Sequence, residues 1–219
     1  MQGILFVEEL YRLTCQGVKT ETRRTGAFIK KNKDGKMLDC VNLHPNDWEK
    51  PFNLPWVPHF PYLINKNSGE TISIKPRYQK GEVLYLKEPY RLDRYYIYKY
   101  DLPCDYREEM LEKRFGSGAK FTNKLFMPLR AARVFIRITE WNFERLQDIT
   151  EGACIKEGIR KQQTHFTNPC NPVIFSDVKE CYKDLLMKAN KTKNSRIWDE
   201  NYWVFVYKYE LFTPQEKLL

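Results

Sequence analysis

The chain has 219 residues, 42% hydrophobic and 15% aromatic, which is enough apolar material for a real core and argues against disorder of the whole. A formal net charge of +9 favours a polyanionic partner, nucleic acid first, although many soluble proteins are mildly basic. No run of about 18 apolar residues indicates a membrane span. The N-terminus shows no secretory pattern, so a cytoplasmic protein without a membrane partner is expected.

Six cysteines (Cys15, Cys40, Cys104, Cys154, Cys170 and Cys181) are scattered without Cys-x-x-Cys spacing and read as reduced thiols. His44, His59 and His165 lie far apart, so no metal site and no cofactor is expected.

In chain order, the apolar run Gly3–Val7 predicts a strand. Glu8–Gln16 predicts a helix, with Leu10 and Leu13 at helical spacing and two glutamates in the first turn, where the macrodipole favours them. Gly17 sits where a C-terminal helix glycine belongs. Lys30–Lys36 reads as a polar, hairpin-like turn. Pro45, Pro51, Pro55, Pro58 and Pro61 then alternate with aromatic residues, a density that forbids a regular helix or central strand. This stretch predicts an ordered insertion whose aromatics either pack under a loop or stack on bases.

Gly81–Glu88 alternates as a buried strand would, and Arg94–Tyr100 predicts a tyrosine-rich strand. A charged helix is expected over Tyr106–Arg114, ended by Gly116-Ser117-Gly118, and a strand over Arg133–Thr139. Thr150–Glu157 predicts a short helix with Thr150 as N-cap, Gly158 beyond its end, and Ile149 and Cys154 as a hydrophobic staple. Ser176–Ala189 predicts a helix with Val178, Cys181, Tyr182, Leu185 and Leu186 on one face. An aromatic strand over Tyr202–Phe212 closes the chain. Strands interleaved with helices predict an α+β domain built on a small mixed sheet or barrel.

The stretch Gly17–Arg24 carries a lysine, two hydroxyls, a carboxylate and two arginines. Lys19 could deprotonate Thr22 if the neighbouring Arg23 and Arg24 lowered its pKa. A solvated basic loop or a phosphate grip fits the same residues. Glu157 ends a short helix, where the dipole disfavours a carboxylate. Lys87 and Glu88 emerge at the end of a buried-looking strand, as a functional pair or a plain salt bridge. Arg130, Arg133 and Arg137 form a basic stripe.

Four blocks together resemble the ASCH-domain family of the phage and prophage type. They are Ile4-Leu5-Phe6 with Gly17-x-Lys19-Thr20-x-Thr22-Arg23-Arg24; Gly81–Glu88; Met127–Arg133 with Glu144–Ile159; and Trp198–Val206. Tyr85 and Lys87 stand where Trp and Arg are commoner in the family. The resemblance implies one PUA-like domain, a small mixed β-barrel with flanking helices, over residues 1–219 with insertions at about 25–78, 90–125 and 160–196. It implies RNA or a modified nucleoside as partner, with DNA a further candidate. In the branch that hydrolyses acetylcytidine, a Lys-x-x-Thr motif and a later Glu are catalytic; these match Lys19, Thr22 and Glu157. Thr20, Arg23, Arg24, Lys87, Glu88, Arg130 and Arg133 would then bind substrate or nucleic acid. Other ASCH branches resemble ribonucleases or non-catalytic RNA- or DNA-binding modules, so the resemblance alone leaves the activity open.

Overall fold

The computed structural model describes residues 1–24, 30–31, 37–38, 47–49, 62–69, 71–74, 76–102, 107–190 and 196–214. In chain order the elements begin with β1 (Gln2–Leu5), α1 (Glu8–Cys15), β2 (Glu21–Arg24), β3 (Lys30–Lys31), β4 (Met37–Leu38), β5 (Trp48–Glu49), β6 (Tyr62–Asn65) and β7 (Thr71–Ser73). Next come β8 (Val83–Lys87), β9 (Tyr90–Leu92), β10 (Tyr96–Tyr98), α2 (Arg107–Phe115) and β11 (Phe135–Arg145). The last are α3 (Glu151–Lys156), β12 (Arg160–Gln162), β13 (His165–Asn168), β14 (Asn171–Phe175), α4 (Val178–Ala189), α5 (Arg196–Asp199) and β15 (Trp203–Phe212). The fold is mixed α+β, and among the described residues no sheet closes into a barrel.

Two compact units result. One comprises Met1–Val18, Val83–Arg137 and Glu210–Leu219; the other comprises Lys19–Glu82 and Ile138–Tyr209.

In the first unit, α1 buries Leu10, Tyr11, Leu13 and Thr14 and carries Glu8 and Glu9 in its first turn. Gly17 ends it at φ +72°, a left-handed conformation that costs glycine nothing. β1 runs parallel to β8, with Gly3 beside Tyr85. A Cβ on Gly3 would lie 2.3 Å from Lys87 Cε and 2.8 Å from the Tyr85 ring, so this crossing needs glycine. The start of β11 pairs antiparallel with β8. β9 and β10 form a two-stranded ribbon. The strand expected over Arg94–Tyr100 is shorter, because the backbone turns into a 3-10 helix at Lys99–Asp101.

In the second unit, β2 pairs antiparallel with β15, placing Thr22 opposite Tyr207 and Glu21 opposite Lys208. Phe143, Trp203, Phe205 and Tyr207 interlock beside them, with Phe143 stacked on Trp203 at 5.0 Å and 4.9 Å from Phe205. Thr150 Oγ1 accepts from the Ala153 amide, capping α3 as expected, and both Ile149 and Cys154 are buried. Gly158 follows the helix at φ +115°. The main helix starts at Val178 rather than Ser176, because Asp177 is its cap and accepts from the Glu180 amide. β11 continues to Arg145, beyond the expected end at Thr139.

The stretch 160–196 holds a three-stranded meander, β12-β13-β14, that the sequence pattern did not suggest. Most of the Lys30–Lys36 turn and of the Pro/aromatic stretch 45–62 lies outside the described residues.

Candidate functional site

Past the Gly17 turn the chain enters β2 through Lys19, whose side chain is only 1% exposed. The Thr20 amide donates to the Lys156 carbonyl at 2.9 Å, which fixes the C-terminal end of α3 against this entrance. Glu157 is the C-cap of α3, and Lys19 meets it there. Lys19 Nζ donates to Glu157 Oε2 at 2.5 Å, to the Glu157 carbonyl at 3.0 Å and to the Glu21 carbonyl at 2.6 Å. The carboxylate that the helix dipole disfavours is therefore offset by a buried cation, which also takes up a carbonyl at the helix end.

Arg23 supplies a second cation. Its Nε and Nη2 donate to Glu144 Oε1 at 3.0 and 2.8 Å, and its Nη1 donates to Glu157 Oε1 at 3.2 Å and lies 3.7 Å from Glu21 Oε2. Lys156 Nζ stands 3.3 Å from Glu21 Oε1, and the Tyr182 hydroxyl donates to Glu157 Oε1 at 3.3 Å. Three cations (Lys19, Arg23, Lys156) thus face three carboxylates (Glu21, Glu144, Glu157). Because ion pairing offsets desolvation only when geometry and hydrogen bonding are good, this close mutual satisfaction is what lets Lys19, Arg23, Glu21 and Glu157 stay buried, while Lys156 and Glu144 reach the surface.

Burial pulls the Lys19 ammonium below its ordinary pKa; Glu157 opposes that shift, while Arg24 and Arg23 add to it. The expected influence of the two arginines is present but secondary to desolvation. Burial, reinforced by the Glu157 charge, pushes the Tyr182 phenol well up, so it stays a donor.

Of the expected catalytic residues, Lys19 and Glu157 touch. Thr22 lies on the same short strand and is buried, yet among the described residues no hydrogen bond joins its hydroxyl to Lys19. Arg23 is integral to the cluster. Arg24 is half-buried in register with Phe205, and Thr20 takes part through its backbone amide.

Lys87, Glu88, Arg130 and Arg133 belong to the first unit. There Glu88 is 0% exposed and receives a two-pronged grip from Arg133, Nε to Oε1 at 2.7 Å and Nη2 to Oε2 at 2.8 Å. The Tyr11 hydroxyl donates to Glu88 Oε1 at 2.6 Å, and Arg133 also binds both oxygens of Asp101. The Arg133 guanidinium lies 4.0 Å from the centre of the Tyr98 ring. Lys87 donates to the Leu125 carbonyl at 2.8 Å, and Arg130 is exposed on a 3-10 helix over Leu129–Ala131; neither joins the Glu88 group.

Sequence reading missed Glu21, Glu144, Lys156 and Tyr182 as members of the Lys19 cluster, and Tyr11, Tyr98 and Asp101 beside Glu88. Glu144 lies 121 residues from Arg23, a separation at which no local pattern signals contact. Among the described residues no group of three or more His, Cys, Asp or Glu could hold a metal ion, and no helix is long and apolar enough to cross a membrane. Compared with models of known families, with curated proteins and with solved structures, the chain finds no match.

Proposed function

We propose that this chain is an ASCH protein of PUA-like type that binds a modified nucleoside and hydrolyses an acyl amide such as that of acetylcytidine. The observation that carries this reading is the meeting of Lys19 with Glu157, 138 residues away, at 2.5 Å inside the protein. Lys19, Thr22 and Glu157 stood out by local chemistry, and the resemblance joined them as one catalytic set. The mixed α+β fold suits the reading, and the small barrel remains part of the proposal.

In the mechanism, the ammonium proton of Lys19 passes to Glu157 and leaves a neutral amine, a transfer helped by the lowered Lys19 pKa. When substrate binds, the Thr22 hydroxyl turns toward that amine, which takes its proton as Oγ1 attacks the acyl carbon. Arg24 or a backbone N–H stabilises the oxyanion. The C–N bond breaks as Lys19 returns the proton to the leaving nitrogen. Lys19 then takes a proton from water as the hydroxide attacks the acyl-threonine; the C–O bond breaks, Thr22 Oγ1 takes the proton held by Glu157, and Lys19 is left as the ammonium. The sum is amide plus water to carboxylic acid plus amine.

The test is turnover of acetylcytidine to cytidine and acetate, followed by chromatography. Lys19→Met and Thr22→Ala should each lower the rate by at least about a hundredfold. Acetylcytidine left intact by the folded protein, or unchanged turnover in Thr22→Ala, would overturn the proposal.

A second reading is a nucleic-acid-binding module without turnover. It is favoured by the missing Thr22–Lys19 hydrogen bond and by the enclosure of Lys19 among carbonyl and carboxylate oxygens. On that reading the cluster is a structural knot, and oligonucleotide binding persists in Thr22→Ala. A ribonuclease would instead show RNA cleavage that Lys19→Ala abolishes.

A further inference from the structure

Charge is distributed unevenly along the first unit. From Gly116 to Arg137 the chain holds five Lys or Arg and no Asp or Glu. Of the nearby carboxylates, Glu88 and Asp101 are held by Arg133 and Asp93 by Arg114 at 3.6 Å, while Glu112 accepts from the Gly118 amide at the start of the segment. By contrast Arg94, Lys120 and Arg130 are exposed, and no ion pair is recorded for them among the described residues. These three cations stand on the surface.

An aromatic row accompanies it. In the β9–β10 ribbon Tyr98 pairs with Tyr90 and Tyr96 with Leu92, so strand alternation puts all four on one face and Arg91 and Ile97 on the other. The Tyr90 and Tyr96 rings are 5.8 Å apart and the Tyr96 and Tyr98 rings 6.2 Å, and all three residues are only half-buried. Backbone bonds between Tyr90 and Thr122, and the Tyr90 hydroxyl on the Phe126 carbonyl, tie the acid-free segment to this ribbon. Phe126 itself is 73% exposed, and Tyr95 at the ribbon's tip is 81% exposed. A hairpin serving only to cover a core would turn these rings inward and would not leave them half-exposed with Arg94, Lys120 and Arg130 on the surface of the same unit.

We propose that the β9–β10 face and the segment beside it bind single-stranded nucleic acid. Bases stack on Tyr90, Tyr96 and Phe126 while Arg94, Lys120 and Arg130 hold phosphates. Single strands suit a row of separated rings, because their bases can be splayed out and stacked regardless of sequence. RNA and DNA share this chemistry. The inference stands whether or not Lys19 turns over a substrate, since it draws on a different set of residues.

The experiment is fluorescence anisotropy of the full chain with a labelled mixed-sequence oligonucleotide of about a dozen nucleotides, as RNA and as DNA, at several salt concentrations. Phe126→Ala and Tyr96→Ala, checked for folding by circular dichroism, should each weaken binding about fivefold to a hundredfold. The surface triple variant Arg94→Gln/Lys120→Gln/Arg130→Gln should lower the salt slope by about 2, and no buried group is disturbed that could unfold it. Equal binding of RNA and DNA leaves stacking and phosphate contacts as the basis, whereas a preference for RNA adds 2′-hydroxyl recognition to the same surface. Absence of binding at low salt, binding as tight to a duplex of equal length, or full affinity in both Phe126→Ala and the triple variant would overturn the proposal. Loss of acetylcytidine turnover in Thr22→Ala with oligonucleotide binding intact would separate this surface from the Lys19 site.

Discussion

Glu157 in the second unit and Glu88 in the first are both buried carboxylates gripped by an arginine, and their surroundings differ in one respect. Around Glu157 the partners are buried with it: the Lys19 and Arg23 side chains are 1% and 3% exposed. Around Glu88 the arginine stands at the boundary, its side chain one-third exposed, with Asp101 and the Tyr98 face as further partners. A cation that can turn to water has somewhere to go when its partner is removed; one sealed inside does not. The first arrangement locks the charge state of several groups together, and the second behaves as a surface ion pair with one end anchored in the core.

Removing each glutamate is the sharpest way to break that contrast. Glu157→Ala leaves Lys19 and part of Arg23 uncompensated inside the protein, and a loss of about 3–5 kcal/mol in urea unfolding is expected. The paired change Lys19→Met with Glu157→Leu should recover most of that loss, because an apolar pair of similar volume is often as stable as a buried ion pair. A loss under about 1 kcal/mol in Glu157→Ala would mean that Lys19 simply sheds its proton, and the distinction between the two units would fall. Glu88→Gln is expected to cost less, about 2 kcal/mol, because Arg133 keeps Asp101 and can swing outward. Tyr11→Phe removes the 2.6 Å bond to Glu88 together with the hydroxyl's contact to Cys15, and leaves Arg133 in place. Its expected cost is about 1.5 kcal/mol, read from the same unfolding curves.

Much of the frame that holds these groups was legible because its signals are local. Glu8 and Glu9 at a helix start, Gly17 at its end, the Thr150 cap and Gly158 each act over four residues or fewer, and each is found where expected. Apolar alternation likewise marked β8, and aromatic content marked β15. The meander β12-β13-β14 carried no such signal. Arg160, Lys161 and Gln162 are all exposed and Val173 and Ile174 face water; β13 alone buries alternate residues, Phe166 and Asn168, and because one of that pair is polar the apolar pattern shows no period of two. The cluster was half legible: Lys19, Arg23 and Glu157 stood out by charge and position. Glu144 lay beyond the expected strand and Tyr182 read as a helix-face aromatic, because only the folded chain brings them to Arg23 and Glu157.

The smallest expected effect is an alkaline pH dependence, and its sign differs between the units. Burial raises the Tyr11 phenol, and the hydrogen bond and charge of Glu88 raise it further, above its ordinary value of 10.0. Above pH 10.0 the unfolded chain therefore loses this proton while the native chain keeps it. The stability Tyr11 contributes is full below that pH and declines above it. Lys19 is shifted the other way, lowered from 10.5 chiefly by burial. Between its native value and 10.5 the unfolded chain holds a proton that the native chain has lost, so its contribution grows as pH rises and is lost as pH falls through the native value. Tyr11→Phe should consequently flatten the alkaline decline in urea midpoint, measured from about pH 8 to about pH 11, and Lys19→Met should steepen it. Tyr182, also raised, is present in both variants and cancels when each is compared with the parent chain. Equal slopes in the two variants would mean that the sealed cluster and the boundary cluster hold their protons alike, and the exposure of Arg133 would then make no difference to charge.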